Sequence, residues 1–196
     1  MSTQQQTVID SINIHKKLLA EYETRCVETV VGAAGMITDS LQNGGCVYIC
    51  GNGGSAADAQ HIAGELIGRF KRERKALPAV ALTTDSSILT SIGNDYGFED
   101  IFTRQVEGLV KAGDILWAIS TSGASANVVA AAKAAKEKGA KILGFTGKGK
   151  TELEQVCDLC LSIEAPNTAA AQEIHQLAYH TICDLVEQKF CQDKQN

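Results

Sequence analysis

His61 and Glu65 lie four positions apart, and their types and spacing suit proton transfer or metal binding. Two side chains at this spacing share one face of a helix. An imidazole and a carboxylate can serve as acid and base, or can ligate a transition metal together. The surrounding residues are largely small or apolar, which predicts a buried helix in which an unused charge would be costly. A hydrogen-bonded pair on the helix surface is the alternative interpretation.

A second group of candidate residues lies in the predicted last helix, near residues 168–190. Gln172, Gln176 and His180 recur every four residues and form a polar seam on a helix otherwise rich in apolar side chains. A rise of about 12 Å separates Gln172 from His180, so both could hold one metal ion only if their side chains lean toward each other. His175 points to another side of the helix, and we expect a packed or subunit-contact histidine there.

A glycine-rich turn precedes the helix of His61 and Glu65. Residues 51–56 have the sequence GNGGSA and follow a short apolar run typical of a buried strand. The glycines allow a ligand to approach the backbone closely, and the helix N-terminus favours an anion. The spacing also fits a dinucleotide-binding turn, but that motif expects an acidic residue about 20 positions later. Position 71 is a lysine, so we favour a site for a phosphorylated substrate over a nicotinamide site.

A hydroxyl-rich segment follows the third predicted strand and leads into a helix. It contains Ser120, Thr121, Ser122 and Ser125. Hydroxyl groups and the N–H groups of a helix N-terminus together form a pocket suited to a phosphate monoester. Simple N-capping by Ser122 or Ser125 is the alternative, but a cap requires one hydroxyl and this segment provides four. We therefore expect the phosphate to bind here.

The elements that must position these residues alternate along the chain. Two helical pieces span about residues 7–42, and apolar runs then alternate with helical segments. The predicted strands are Cys46–Cys50, Ala79–Leu82, Ile115–Ile119, Lys141–Phe145 and Leu159–Ile163, and the predicted helices lie near 56–68, 86–109, 125–138, 151–156 and 168–190. Because the strands are apolar throughout, we expect a parallel sheet covered by helices on both faces. The loops at the carboxyl ends of its strands would then meet at one ligand-binding edge.

Composition limits the class of protein. The 196 residues are 44% hydrophobic and 21% charged, as in an ordinary globular domain. A net charge of −5 argues against a broad nucleic-acid-binding surface. The basic run at 71–75 is expected to be a solvated loop or helix end, with an anionic-ligand role as the alternative. We expect no signal peptide, no membrane span and no disulfide framework among the seven cysteines, which fits a reducing cytoplasm.

Four segments together resemble the sugar-isomerase (SIS) domain family and, within it, the phosphoheptose isomerases. They are residues 50–61, 91–98, 119–125 and 172–180. The resemblance covers nearly the whole chain and implies an α/β fold: a flavodoxin-like three-layer sandwich with a five-stranded parallel sheet and N-terminal helices. It implies a single domain over residues 1–196, in which residues 1–43 pack a homotetramer and residues 44–196 form the α/β core with the C-terminal helix.

The resemblance also implies a reaction. This is the interconversion of sedoheptulose 7-phosphate and D-glycero-D-manno-heptose 7-phosphate through an enediol(ate), which feeds bacterial surface heptose such as that of lipopolysaccharide. Glu65 and His180 fall on the acid/base pair, and His61, Glu65, Gln172 and His180 fall on a zinc site with one ion per subunit. The predicted substrate contacts are Asn52, Gly53, Gly54, Ser55, Glu65, Asn94, Asp95, Ser120, Thr121, Ser122, Ser125 and Gln172.

One position departs from this pattern, and one other function stays open. Many relatives carry an arginine two residues before Gln172, where this chain has Ala170. An arginine there would add a charge-assisted contact to the substrate or to a neighbouring subunit. The alternative function is a non-catalytic SIS protein that binds a replication initiator or senses a sugar phosphate. The initiator-binding branch lacks the glutamate and the terminal histidine that this chain keeps as Glu65 and His180.

Overall fold

Eight helices and five strands follow one another in the computed structural model, which describes residues 2–192. The helices are α1 Thr3–Arg25, α2 Val27–Gln42, α3 Gly54–Ile67, α4 Ser86–Asp95, α5 Thr103–Leu109, α6 Ala126–Glu137, α7 Glu152–Val156 and α8 Thr168–Gln192. The strands are β1 Val47–Gly51, β2 Ala79–Ala81, β3 Ile115–Ser120, β4 Lys141–Thr146 and β5 Leu159–Ser162. Each end of the predicted strands agrees with these bounds to within one residue.

The five strands form one parallel sheet in the order β2-β1-β3-β4-β5. This is the strand order of flavodoxin-like folds, as expected from the sequence. The first strand, β1, lies inside the sheet, and β2 is added at one edge. The chain then crosses back, and β3, β4 and β5 extend the sheet on the other side of β1. The carboxyl ends of β1 and β3 are therefore adjacent, and the glycine turn and the hydroxyl segment meet there.

The sheet is buried on both faces, and strand β3 shows why the apolar runs predicted this. All six residues of β3 are buried. Ile115, Trp117 and Ile119 pack into the larger apolar cluster, which also contains residues of α2, α3 and α8. Leu116 and Ala118 point to the opposite face, into a cluster with residues of α5 and α6. Successive side chains of a strand alternate between faces, so only a strand covered on both sides is apolar at every position.

The predicted helical stretch at 86–109 is interrupted, and glycine explains the break. Helix α4 ends at Asp95, a short 3₁₀ turn covers Phe98–Asp100, and α5 begins at Thr103. Gly97 between them has φ of 123°, a conformation that residues with a Cβ rarely adopt. Apolar residues keep a helical spacing on both sides of Gly97, so the sequence pattern predicted one continuous helical stretch.

Helix α1 covers little of the core. Leu18 is its one buried residue in a helix of 23. Val8, Ile12 and Leu19 on the same helix are 45–60% exposed. No helix within residues 2–192 is both long and apolar enough to cross a membrane.

Candidate active site

Three predicted site residues come together where α3 and α8 lie side by side. The Nε2 atom of His61 is 3.0 Å from Oε1 of Glu65 and 3.4 Å from Nε2 of His180. One ligand atom from each of the three residues falls within 4.8 Å of the others. His61 and Glu65 share a face of α3 because they are one helical turn apart, and α8 supplies the third group from a position 119 residues later.

This cluster is more open than the sequence predicts. The side chain of His61 is 41% exposed and that of Glu65 is 19% exposed. The prediction of a largely buried helix is therefore wrong for the face that carries these groups, although Ile62 and Leu66 on the other side are buried. The pKa of His180 lies below its ordinary value, because partial burial and the neighbouring His61 disfavour the imidazolium. A neutral imidazole is the form that ligates a metal.

Sequence analysis missed Tyr179 and Asp58, which support the cluster on the side of His61 that faces away from Glu65. The Tyr179 hydroxyl lies 3.0 Å from Nδ1 of His61 and donates to Oδ1 of Asp58 at 3.4 Å. A proton on Nδ1 of His61 would then be donated to the Tyr179 oxygen, which leaves Nε2 free as an acceptor or ligand. Outer partners of this kind fix the tautomer and the ring orientation of a metal-ligating histidine. Tyr179 follows the buried Ala178 in an apolar pattern, so the sequence suggested only packing.

The cluster fits a divalent transition metal. Two imidazole nitrogens and one carboxylate oxygen form a donor set that such ions accept, and three protein ligands leave a position for substrate. The hydroxyl of Tyr179 on the far nitrogen of His61 provides the outer contact that metal-bound histidines usually have.

Gln172 lies at the other end of the same pair of helices. Its amide group packs against Gly54, where a Cβ atom would come within 2.4 Å of Nε2 of Gln172. Gly54 begins α3, about 10 Å of helix rise before His61. Gln172 therefore contacts the glycine turn, and its place as a fourth metal ligand stays a prediction.

The hydroxyl segment forms a compact cluster at the start of α6. The Oγ atom of Ser120 lies 2.9 Å from Oγ of Ser125 and 3.3 Å from Oγ of Ser122. Ser125 precedes α6 but makes no side-chain cap hydrogen bond. The alternative of capping by Ser125 is therefore wrong, and Ser122 accepts from the N–H of Ala124 ahead of the helix.

A cavity of about 210 Å³ opens beside this cluster. Thr121 and Ser122 line it together with Lys148 from the loop after β4, and Asn167 and Thr168 from the start of α8. Hydroxyl and amide donors with one ammonium group suit a phosphate monoester. Sequence analysis placed the loops that follow the strands at this edge of the sheet but did not choose Lys148 as a site residue.

The glycine turn is tied to the hydroxyl segment by an amide pair. Asn52 and Asn127 exchange two hydrogen bonds of 2.8 and 3.0 Å. Asn127 is buried in the first turn of α6, and sequence analysis missed it. Gly53 is exposed with φ of 56°, whereas Ser55 is buried behind it. The side chain of Asn52 is thus fixed between the glycine turn and the hydroxyl segment.

The remaining predicted residues lie elsewhere. Asn94 and Asp95 are exposed at the end of α4 and are joined to each other by a hydrogen bond of 2.7 Å. Ala170 is buried beside Leu18 of α1. His175 is fully buried, with Nε2 3.1 Å from the carbonyl oxygen of Thr146, and burial lowers its pKa to about 4. The expectation of a packed histidine at 175 is therefore confirmed.

The basic run at 71–75 is paired and in part buried, contrary to the solvated loop expected. Lys71 and Arg72 both contact the carboxylate of Asp184 on α8. Arg74 is buried and lies beside the buried Glu187. The positive charges of this run are therefore largely balanced by acidic residues of α8.

Comparison with known proteins assigns the family. The SIS domain profile matches residues 12–147. The chain is 51% identical to the phosphoheptose isomerase of Rhodospirillum rubrum over 85% of this chain and 88% of that protein. For the phosphoheptose isomerase of Campylobacter concisus the identity is 50%, over 92% of this chain and 95% of that protein. The solved phosphoheptose isomerase structure from Neisseria gonorrhoeae superposes with a TM-score of 0.89 at 43% identity, over 95% of this chain and all of that one. The chain belongs to the phosphoheptose isomerases of the SIS domain family.

Proposed function

We propose that this protein is the aldose–ketose isomerase that converts sedoheptulose 7-phosphate to D-glycero-D-manno-heptose 7-phosphate for bacterial heptose biosynthesis. The observation that carries the proposal is the cluster of Glu65 and two histidines, about two helical turns along α3 from the glycine turn that adjoins the hydroxyl segment. Relatives named phosphoheptose isomerase, about 50% identical over most of the chain, support it. The non-catalytic alternative is not favoured, because Glu65 and His180 are both present and face one another.

We assign the two proton transfers to Glu65 and His180. Isomerisation moves a proton between adjacent carbons through an enediol(ate), so it requires a base at carbon and an acid at oxygen. Oε1 of Glu65 contacts His61, which leaves Oε2 to take and return the carbon proton. His180 serves the substrate oxygens as the general acid and base. Each group is expected to contribute about 10²–10⁴-fold to the rate.

The hydroxyl segment is proposed to anchor the phosphate. Ser120, Thr121, Ser122 and Ser125 supply donors, and the N-terminus of α6 supplies positive dipole charge. Binding energy gained at this remote group can be used to hold the reacting carbons beside Glu65. We assign the sugar hydroxyls to Asn52, Gly53, Gly54, Ser55 and Gln172, and we keep Asn94 and Asp95 as predicted contacts that a neighbouring subunit would complete.

We propose zinc as the metal, with one ion per subunit. His61, Glu65 and His180 would hold it, and Gln172 is the predicted fourth ligand. Bound zinc would supply a Lewis acid that polarises the substrate carbonyl. The protein should convert sedoheptulose 7-phosphate, and the conversion should stop with a chelator and return with added zinc. Absence of turnover in zinc-loaded protein would contradict the isomerase, and turnover that survives complete metal removal would contradict the zinc.

Removing the Tyr179 hydroxyl should weaken metal binding without unfolding the protein. In Tyr179→Phe, Nδ1 of His61 loses its partner while the buried ring remains. Loss of such an outer contact typically costs about 10–100-fold in metal affinity. Competition with a chromophoric chelator measures this. Tyr48→Phe is the matched control, since it removes a hydroxyl that bonds the carbonyl of Leu109 instead; equal zinc affinity in the two variants would refute the role of Tyr179.

We also propose a cytoplasmic homotetramer in which residues 1–43 provide much of the subunit contact. The exposed apolar side chains of α1 continue on α2 with Val27 and Val31, at 46% and 53% exposure. Helix α1 covers little of the core, and these side chains of α2 point away from it, so the apolar stripe suits burial against another copy. A solution mass by light scattering that differs from four chains would contradict the tetramer.

A further inference from the structure

The imidazole of His180 is packed against an aromatic ring outside the metal cluster. The ring of Phe70 is stacked on it, with centroids 5.4 Å apart and an angle of 23° between the planes. On its other sides His180 meets the rings of His61 and Tyr179 edge-on, at 4.9 and 4.7 Å. Phe70 is thus the group that covers one flat face of the proposed acid. A covered face restricts rotation of the imidazole about its side-chain bonds.

Phe70 belongs to the loop between α3 and β2, and that loop is fixed to α8 by Glu187. The carboxylate of Glu187 is fully buried and accepts three backbone N–H groups, those of Phe70, Lys71 and Arg72, each at 2.8 Å. Burial alone would raise the pKa of Glu187, but the three N–H donors and Arg74 outweigh it and lower the pKa. Glu187 follows His180 by seven residues, so both side chains lie on one face of α8.

Arg74 ties the same loop to the C-terminal end of α3 through backbone carbonyl groups. Its guanidinium is buried and donates to the backbone oxygens of Glu65, Leu66, Gly68 and Lys75 at 2.6–3.0 Å. Its Nε lies 3.5 Å from Oε1 of Glu187. The loop is therefore held to α8 by Glu187, which accepts its N–H groups, and to the end of α3 by Arg74. These contacts leave little freedom for the backbone of Phe70. Two buried charges are costly unless they are paired and hydrogen-bonded, so they fix the loop in one position.

We propose that Phe70 is a positioning residue that fixes the ring of His180, and that Glu187 sets the place of Phe70 by holding its loop. The catalytic consequence rests on the proposed function, because it assumes that His180 acts on the substrate. The positioning role of Phe70 does not rest on the proposed function, since that role concerns the orientation of His180 toward His61 and a metal ion.

Phe70→Leu tests this by removing the ring while keeping an apolar side chain. We expect kcat to fall about tenfold with KM changed less than about twofold, and zinc affinity to weaken about tenfold, as when other outer contacts are lost. The nuclear Overhauser contact between the imidazoles of His180 and His61 in the metal-free protein should also weaken. Phe70→Tyr keeps the ring and should restore all three properties. Phe190→Leu is the matched control, because it makes the same change at a half-buried ring that packs against the large apolar cluster.

The outcomes separate this inference from the proposed function. An unchanged contact between His180 and His61 together with unchanged zinc affinity in Phe70→Leu would overturn the inference, as would an equal kinetic loss in Phe190→Leu. Wild-type protein that binds zinc but does not isomerise the sugar would overturn the proposed function. The zinc affinity and the magnetic-resonance measurement on His180 would then still decide the inference. Glu187→Gln should reproduce the effects of Phe70→Leu if the variant folds, since its amide nitrogen would face backbone N–H donors.

Discussion

Glu65→Gln should bind sedoheptulose 7-phosphate nearly as well as the wild type and turn it over about 10²–10⁴-fold more slowly. The amide keeps the shape of the side chain and can still contact His61, which lies 3.0 Å away. It cannot take a proton from carbon, so the step that leads to the enediolate loses its base. Single-turnover kinetics combined with a direct binding measurement separate the loss of chemistry from a loss of affinity.

The double assignment of Glu65 as base and ligand calls for two controls. Metal content must be measured in the variant and the assay run with excess zinc, so that a low rate does not merely report an empty site. Glu73→Gln makes the same chemical change at a side chain that is 87% exposed, and it should retain full activity. Near-normal turnover by zinc-loaded Glu65→Gln would show that another group is the base.

The sheet and most of the site were accessible from the sequence because local patterns determine them. An apolar run with no alternation, as in Ile115–Ile119, requires cover on both faces and therefore a parallel sheet between helices. His61 and Glu65 meet because helix geometry alone brings residues four apart together. The spacing of His180 with Gln172 and Gln176 made it a candidate, but its place beside His61 and Glu65 followed from the resemblance, since no local pattern joins α3 to α8.

The residues that support the site could not be predicted in this way. The Tyr179 hydroxyl reaches Asp58 across 121 positions, and Glu187 reaches the N–H group of Phe70 across 117. Each of these residues also has an ordinary local explanation, as part of an apolar helix or of a charged helix end. Arg74 lies in a run of charges that looks solvated, yet it is buried, because its terminal nitrogens donate to four carbonyl groups and Glu187 balances its charge. Such pairs depend on tertiary contacts alone.

These supporting contacts share one arrangement. Helices α3 and α8 run side by side in the same direction, with Gln172 against Gly54 at one end and His180 beside His61 further along. Beyond α3, Glu187 takes hold of the connecting loop. Helices α3 and α8 therefore set the spacing between the glycine turn, the histidines and Phe70. Two rigid elements of this kind can keep groups that are distant in sequence within hydrogen-bonding distance.

Gly123→Ala should damage both stability and phosphate binding. Gly123 has φ of 66°, and a methyl group there would lie 2.4 Å from the buried side chain of Thr151, the N-cap of α7. The left-handed conformation costs an alanine about 1–2 kcal/mol, and overpacking adds about 1–3 kcal/mol. We expect the hydroxyl segment, to which Gly123 belongs, to move, because Thr151 is buried and caps α7.

Displacement of that segment should appear in the kinetics as weaker binding rather than slower chemistry. Hydrogen bonds to a charged group contribute about 1.5–3 kcal/mol each, so the loss of one raises KM about tenfold or more. Denaturant unfolding and steady-state kinetics on Gly123→Ala measure the two effects. Gly108→Ala is the matched control, because Gly108 lies in α5 with no heavy atom within 4 Å of a new Cβ, and this change should be neutral or slightly stabilising. If Gly123→Ala unfolds more easily yet keeps the wild-type KM, the phosphate is not held by the hydroxyl segment.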